Sequence, residues 1–197
     1  MTEQSSIIKG ELRPALVSAL FFMLLTGLAY PLVTTAVGNL LFPYQAQGSL
    51  IRIDGQIIGS HWIAQQFTAP KYFHPRPSAV DYNAMAGYGS NLGPTNPKLI
   101  EKVAERVEAY REINGLPEDA RVPVDAATAS SSGLDPHITI VNARLQATRV
   151  AQSRGLPKER VLGLIAEYGK PRQLFLLGQP RVNVLELNLA LDALQQQ

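Results

Sequence analysis

Between Arg13 and Arg52 lie 38 residues without one charged side chain. From Ala15 to Phe42 they read ALVSALFFMLLTGLAYPLVTTAVGNLLF, well beyond the roughly 20 apolar residues that a helix needs to cross a bilayer. A run of this length and composition constrains everything else: residues 14–43 are expected to form one transmembrane helix, with a short tail before it and a separately folded part after it. A cleaved signal peptide is the alternative, with Lys9 and Arg13 as its basic region and Ala36-Val37-Gly38 as a small-x-small cleavage site. The run argues against it, because it exceeds the roughly 7 to 15 residues of a signal core and continues past that site through Leu40, Leu41 and Phe42.

Pro31 removes a backbone donor and crowds the carbonyl of Gly27, so a kink is expected in the second half of the span. Small and hydroxylated residues, Ser18, Thr26, Gly27, Thr34, Thr35 and Gly38, would let another helix approach closely. Thr26, Gly27, Tyr30 and Pro31 are the packing candidates, Tyr30 because it falls within the span and not at its edge. Tyr44, beside Phe42 and Pro43, fits an interfacial position. Lys9 and Arg13 precede the span and only Arg52 follows closely. That bias predicts a cytoplasmic N-terminal tail (residues 1–13) and an outer, periplasmic domain from residue 48 to 197.

Outside the span the composition excludes more than it identifies. Eighteen basic groups against 16 acidic ones give a formal net charge of +2, and no block of like charges occurs, so a nucleic-acid partner has no support. The absence of cysteine removes disulfides, thiolate metal sites and a cysteine nucleophile.

The distal part is expected to be a single α+β domain. Residues 49–58 alternate around Asp54-Gly55, a hairpin signature. Residues 68–97 are rich in Pro, Gly, Asn and Ser, yet Tyr72, Phe73, Tyr82 and Tyr88 give them apolar anchors that a solvated linker would lack. A helix is expected from Asn96 (N-cap) and Pro97 to Asn114-Gly115, with Leu99, Ile100, Val103, Val107, Tyr110 and Ile113 inward. A loop over 115–133 follows. A second helix is expected from Asp135-Pro136 to about Ser153, with Ile138, Val141, Leu145 and Val150 inward. Pro157 begins a shorter helix to Tyr168, Leu174–Leu177 reads as a buried strand, Val182 and Val184 as another, and Leu185–Leu194 as a terminal helix.

Several patterns are false leads. Gly163 to Gly169 followed by Lys170 has five intervening residues where a phosphate loop needs four, and Pro171 where the hydroxyl should stand. Gly87, Gly89 and Gly93 are mis-spaced for a dinucleotide turn. Ala86-Gly87-Tyr88-Gly89 echoes a potassium filter but lacks the bundle of membrane helices that would hold one. Ser130–Ser132, Asp135 and His137 supply the residue types of a triad, but their crowding into eight positions makes turn and capping roles the simpler use. His61, His74 and His137 lack metal-ligand spacing. No catalytic residue and no metal site is assigned.

Seven segments taken in order carry a resemblance: Leu12-Arg-Pro-Ala-Leu16, Gln47-Gly-Ser-Leu-Ile51, Tyr72-Phe-His-Pro-Arg-Pro-Ser-Ala79, Ser90-Asn-Leu-Gly-Pro-Thr-Asn-Pro97, Ser132-Gly-Leu-Asp-Pro-His-Ile138, Arg149-Val-Ala151 and Val182-Asn-Val-Leu-Glu-Leu-Asn-Leu-Ala-Leu-Asp192. Together they resemble the C subunit of the Kdp potassium-transporting ATPase, nearly end to end. Pro75 stands where that family commonly has Gly, and Ile140 and Thr148 where prolines are usual.

The resemblance implies an accessory, non-catalytic subunit of an ATP-driven potassium importer, anchored in the bacterial inner membrane by one helix. It implies three partners: a channel-like potassium-binding subunit, a P-type ATPase subunit and a small single-helix subunit. It further implies a role as a catalytic chaperone that raises the nucleotide affinity of the ATPase subunit. ATP and potassium then belong to the complex, with no cofactor bound by this chain. Asn91, Leu92, Pro94 and Asn96, together with Ser132, Asp135 and His137, sit in rigid turns expected to lead into capped helices and are the candidates for a partner-facing surface. A membrane-anchored periplasmic binding protein or hydrolase is the alternative, and it would require a pocket with convergent polar groups.

Overall fold

The computed structural model describes residues 2–195, with side chains from Gly10 onward; Lys9, used above for orientation, lies outside the described side chains. The chain divides into two compact units, residues 1–49 and 50–197.

The first unit is helical. α1 spans Thr2–Leu24, a π turn covers Leu25–Ala29, α2 spans Tyr30–Leu41 and a single turn, α3, spans Pro43–Ala46. Within it, Gly10–Leu41 is long and apolar enough to cross a membrane. Its large side chains are exposed along the whole length, Leu16, Leu20, Phe21 and Leu32 among them, which suits a helix whose surroundings are themselves apolar. The expected disturbance at Pro31 takes the form of the π turn. Pro31 has no N–H to give the Gly27 carbonyl, and the Tyr30 N–H reaches back to the Leu25 carbonyl, the wide register that marks such bulges. Thr26 donates its hydroxyl to the Phe22 carbonyl at 2.6 Å and Thr34 to that of Tyr30 at 2.9 Å, so neither is left unsatisfied in an apolar medium.

The second unit is α+β, with two small antiparallel sheets and five helices among the described residues. β1 (Leu50–Ile53) and β2 (Gln56–Ser60) form the expected hairpin. Asp54 and Gly55 turn it with φ of 51° and 79°, the double positive geometry that matches strand twist. Residues 61–96 contain no helix or extended strand but are ordered around a fully buried Phe73.

α4 (Pro97–Asn114) starts where expected: the Asn96 side chain accepts the Lys98 N–H, and Gly115 ends the helix at φ 61°. Its inward row needs correction, because Ile100 and Ile113 are exposed and only Asn114 is buried. The helix is held by polar groups instead. Tyr110 donates to Asn142 Oδ1 at 2.8 Å, and Arg111 donates twice to the Ala120 carbonyl. The expected loop over 115–133 contains a short helix, α5 (Val124–Ala127), whose alanines are buried.

Asp135 does not cap a helix. It leads into β3 (His137–Thr139), and the cap of α6 (Ile140–Arg154) is Thr139, whose hydroxyl accepts the Asn142 N–H. The Asp-Pro pair is a strand entry because β3 pairs with β4 (Arg181–Asn183) and Val184 N–H bonds to the Pro136 carbonyl; that tertiary pairing overrides the local cap signal. On α6 the inward face is Ala143, Ala147, Val150 and Ala151, while Val141, expected inside, is exposed. Small residues mark the buried stripe because α7 (Lys158–Tyr168) packs closely on it. The core is completed by Val161 and Ile165 of α7 and by Val184, Leu187 and Leu191 of α8 (Val184–Leu194). Val184 therefore opens a helix, and only Val182 lies in the strand.

The largest correction concerns Leu174–Leu177. These residues form no buried strand; they are the tip of a tight turn, and all four are exposed. Lys170 and Arg181 bridge through both backbone groups, Gln173 N–H bonds to the Leu177 carbonyl, and Leu174 and Phe175 take φ of 50° and 63°. An apolar run this short is closed by its own turn before it can reach the core.

Candidate functional site

The centre of the second unit is a loop held by buried polar side chains. Asn188 of α8, nearly without exposure, accepts the Phe73 N–H at 2.8 Å and donates to the Phe73 carbonyl at 3.0 Å. Gln146 of α6 does the same for the next residue, accepting the His74 N–H at 2.8 Å and donating to its carbonyl at 3.1 Å. Two amide side chains thus take the place of neighbouring strands, satisfying backbone groups that burial would otherwise orphan. Arg149 donates to the carbonyls of Pro70 and Tyr72, to Asn114 Oδ1 and to Gln146 Oε1. Arg154 donates to the Lys71 carbonyl and pairs with Asp192 at 2.8 Å. Tyr72 stacks beneath the Arg154 guanidinium, 5.0 Å from its ring centre, and donates to Asp192.

Burial tunes these groups. It lowers Arg149 to about 10, which still leaves it charged at neutral pH, and raises Tyr110. His74 is pushed below the ordinary histidine range, first by burial and then by the Arg149 charge, so it stays neutral against that cation. Its ring nitrogen meets the Ala69 carbonyl at 3.2 Å.

The loop then delivers Arg76 to the surface. Arg76 pairs with Asp135 at 3.0 Å, and Asp135 also accepts the His137 N–H at 3.0 Å. Burial works to raise the Asp135 carboxyl, but the hydrogen bonds from His137 and Arg76 outweigh it and hold it below its usual value. Around this pair lies a groove of about 520 Å³ lined by Trp62, Ser130, Ser131, Ser132, His137 and Arg181, among others. Trp62 lies between two histidines, with ring centres 4.6 Å from His61 and 6.1 Å from His137. His61 is fixed by Glu186 at 2.5 Å, and its carbonyl by Asn183.

The sequence candidates divide. Ser132, Asp135 and His137 come together in this groove, joined by Arg76 and Trp62. Asn91, Leu92, Pro94 and Asn96 are not among its lining residues; Asn96 caps α4, and Asn91 sits at φ 53°. In the first unit Gly27 has open space around it and Tyr30 is exposed. The triad types serve the turn: Ser132 Oγ accepts the Leu134 N–H, Ser78 Oγ donates to the Gly133 carbonyl, and His137 Nδ1 lies 3.4 Å from Asp135. Each histidine has its own partner. Gln146, Arg154 and Trp62 went unremarked in the sequence. Arg149 and Asn188 lie in segments that carried the resemblance, but nothing local to them marks a buried clamp, since their partners are 77 and 115 positions away.

A family model described as "KdpC: K+-transporting ATPase, c chain" matches residues 12–193. Among curated relatives, one from Mycobacterium tuberculosis is 57% identical over 189 residues, covering 95% of this chain and all of the relative. One from Gemmatimonas aurantiaca is 53% identical over 187 residues, 93% of each chain. One from Rhodospirillum rubrum is 54% identical over 184 residues, 92% of this chain and 94% of the relative. All three are named "Potassium-transporting ATPase KdpC subunit".

Proposed function

The chain belongs to the KdpC family, the c chain of the K+-transporting ATPase, and from that premise we propose that it is a non-catalytic accessory subunit that acts by presenting a rigid shape to its partners. The observation that carries this reading is the use of the buried polar groups. Gln146, Arg149, Arg154 and Asn188 bond to the backbone of residues 70–74 and to one another, so their hydrogen-bonding capacity goes into holding a loop. Such fully satisfied networks rigidify a fold, and rigid surfaces lose little entropy on docking.

The partners in this reading are a channel-like potassium-binding subunit, a P-type ATPase subunit and a small single-helix subunit. The domain lies outside the cytoplasm, on the weight of Lys9 and Arg13 against Arg52. The chain supports assembly and raises the nucleotide affinity of the ATPase subunit without touching ATP itself; the effect passes through the membrane helix and the partners packed at Thr26, Gly27, Tyr30 and Pro31. The turns at 91–97 and 132–137 contribute separate parts of the partner-facing surface.

Co-expression with the other three subunits tests the reading. A tag on this chain should retrieve a potassium-stimulated ATPase, and the chain purified alone should release no phosphate. Leu92→Ala and His137→Ala should lower the yield of intact complex by more than any change in the melting temperature of this chain accounts for. Magnesium-dependent phosphate release by the chain alone, or complex yield that merely follows melting temperature, would sink it.

A further inference from the structure

The turn at 174–177 places four large apolar side chains in the open: Leu174 is 80% exposed, Phe175 91%, Leu176 80% and Leu177 58%. Scattered surface apolar residues need no explanation, but a contiguous cluster does. The geometry here is fixed. Backbone bonds join Lys170 to Arg181 and Gln173 to Leu177, and two non-glycine residues sit at positive φ, a conformation that costs free energy and persists where the surroundings enforce it. The result is a knob, not a frayed loop.

Beside the knob runs a groove of about 590 Å³. Arg172, Gln179 and Pro180 of the same turn line it together with Val124, Ile140 and Val141. Val124 and Val141 are exposed, so the groove adds apolar surface of its own on the flank of the same turn. The free charge at the groove's rim is cationic. Of the charged residues that line it, Asp125 bonds to Thr139 and Asn142 and Arg76 pairs with Asp135, whereas Arg172 has no side-chain hydrogen bond or ion pair among the described residues.

We propose that the Leu174–Leu177 knob and the adjoining Val124–Val141 groove are a docking surface for another subunit of the ATPase complex, one that offers an apolar pocket edged by carboxylates. The proposal rests on the accessory-subunit reading above and names the surface that serves it. Three features select this occupant. An apolar centre with a charged rim is the anatomy of a protein interface, and an aromatic anchor at the tip is the kind of residue that dominates binding energy. A bilayer could receive the knob but could not fill the concave groove next to it. A second copy of this chain would bring cationic rim against cationic rim, which costs affinity.

The test uses the full-length chain co-expressed with its partner subunits. With p-benzoylphenylalanine in place of Phe175, irradiation should give one adduct to another subunit. The double substitution Phe175→Ser with Leu176→Ser should reduce retention of the partners roughly tenfold or more, the range expected for a hot spot, and Arg172→Glu should weaken retention and reduce its salt dependence. The melting temperature of the chain should not move, because these side chains are exposed. Adducts only to lipid or to a second copy, or wild-type retention by the double variant, would overturn the proposal. If the wild-type chain itself fails to co-purify with the other subunits, the accessory-subunit reading fails and this proposal with it.

Discussion

Asn188→Ala removes both bonds that hold Phe73. In the native domain the Asn188 side chain is essentially unexposed and its two polar atoms satisfy the Phe73 N–H and carbonyl. Alanine would leave both backbone groups without partners beside a ring that is itself fully buried, at about 1 to 3 kcal/mol for each orphaned group. A loss of about 3 kcal/mol is the central expectation, a large fraction of the roughly 5 to 15 kcal/mol that separates folded from unfolded states. At roughly 2 to 4 °C per kcal/mol for a domain of this size, the melting temperature should fall by about 6 to 12 °C. Near-ultraviolet circular dichroism of the full-length chain in detergent follows the second unit through its single Trp62 and separates it from the apolar helix. Trypsin reports on the loop, because Lys71 is exposed but its carbonyl is tied down by Arg154; the variant should be cut there faster than wild type. Gln152→Ala, at an exposed position on α6, is the control and should stay within about 0.5 kcal/mol of wild type. If Asn188→Ala melts with the control and Lys71 remains protected, the amide does not hold the loop and the reasoning fails.

The second unit should lose stability as pH falls below about 6.5, the ordinary histidine value. Unfolded His74 takes up a proton there while folded His74, with its lowered pKa, does not, so protons favour the unfolded state; His74→Gln should flatten that part of the melting-temperature profile. Gly133→Ala should cost about 1 to 3 kcal/mol by chemical denaturation, since Gly133 sits at φ +69° and a Cβ would lie 2.6 Å from Val80 Cγ2 and 3.0 Å from the Tyr88 carbonyl. Single cysteines at Ser5 and Ser131, in a chain with none of its own, should label differently in intact cells. An impermeant thiol reagent is expected to reach Ser131→Cys and not Ser5→Cys, and the reverse pattern would overturn the orientation.

What the sequence revealed, and what it hid, follows from the range of the interactions involved. The apolar span, the Asp54-Gly55 turn, the Asn96-Pro97 start and the Gly115 stop are set within a few residues, and each appears where expected. Asp135 misled because its cap signal is local while the pairing of β3 with β4 is not. Val141 misled because bulky residues ordinarily mark a buried helical stripe, and on α6 alanines mark it instead. Leu174–Leu177 misled because hydrophobicity signals burial, whereas here all four side chains lie exposed at the tip of a tight turn. At the candidate surface, Ser132, Asp135 and His137 share a groove that Asn91–Asn96 do not line, and no local pattern could have separated them. The clamps Gln146 and Asn188 were illegible for the same reason that they matter, since each joins segments far apart in sequence.

In the proposed role the chain does no chemistry of its own yet is needed for the chemistry of the complex. The direct measurement is the ATP concentration at half-maximal potassium-stimulated hydrolysis, compared between the purified four-subunit complex and the same complex prepared without this chain and then supplied with it. The account predicts weak or absent potassium-stimulated hydrolysis without the chain, and recovery, with a lower half-saturating ATP concentration, on adding wild type but not a chain carrying Asn188→Ala at a temperature above its melting point. An unchanged rate and half-saturation in the absence of the chain would contradict it.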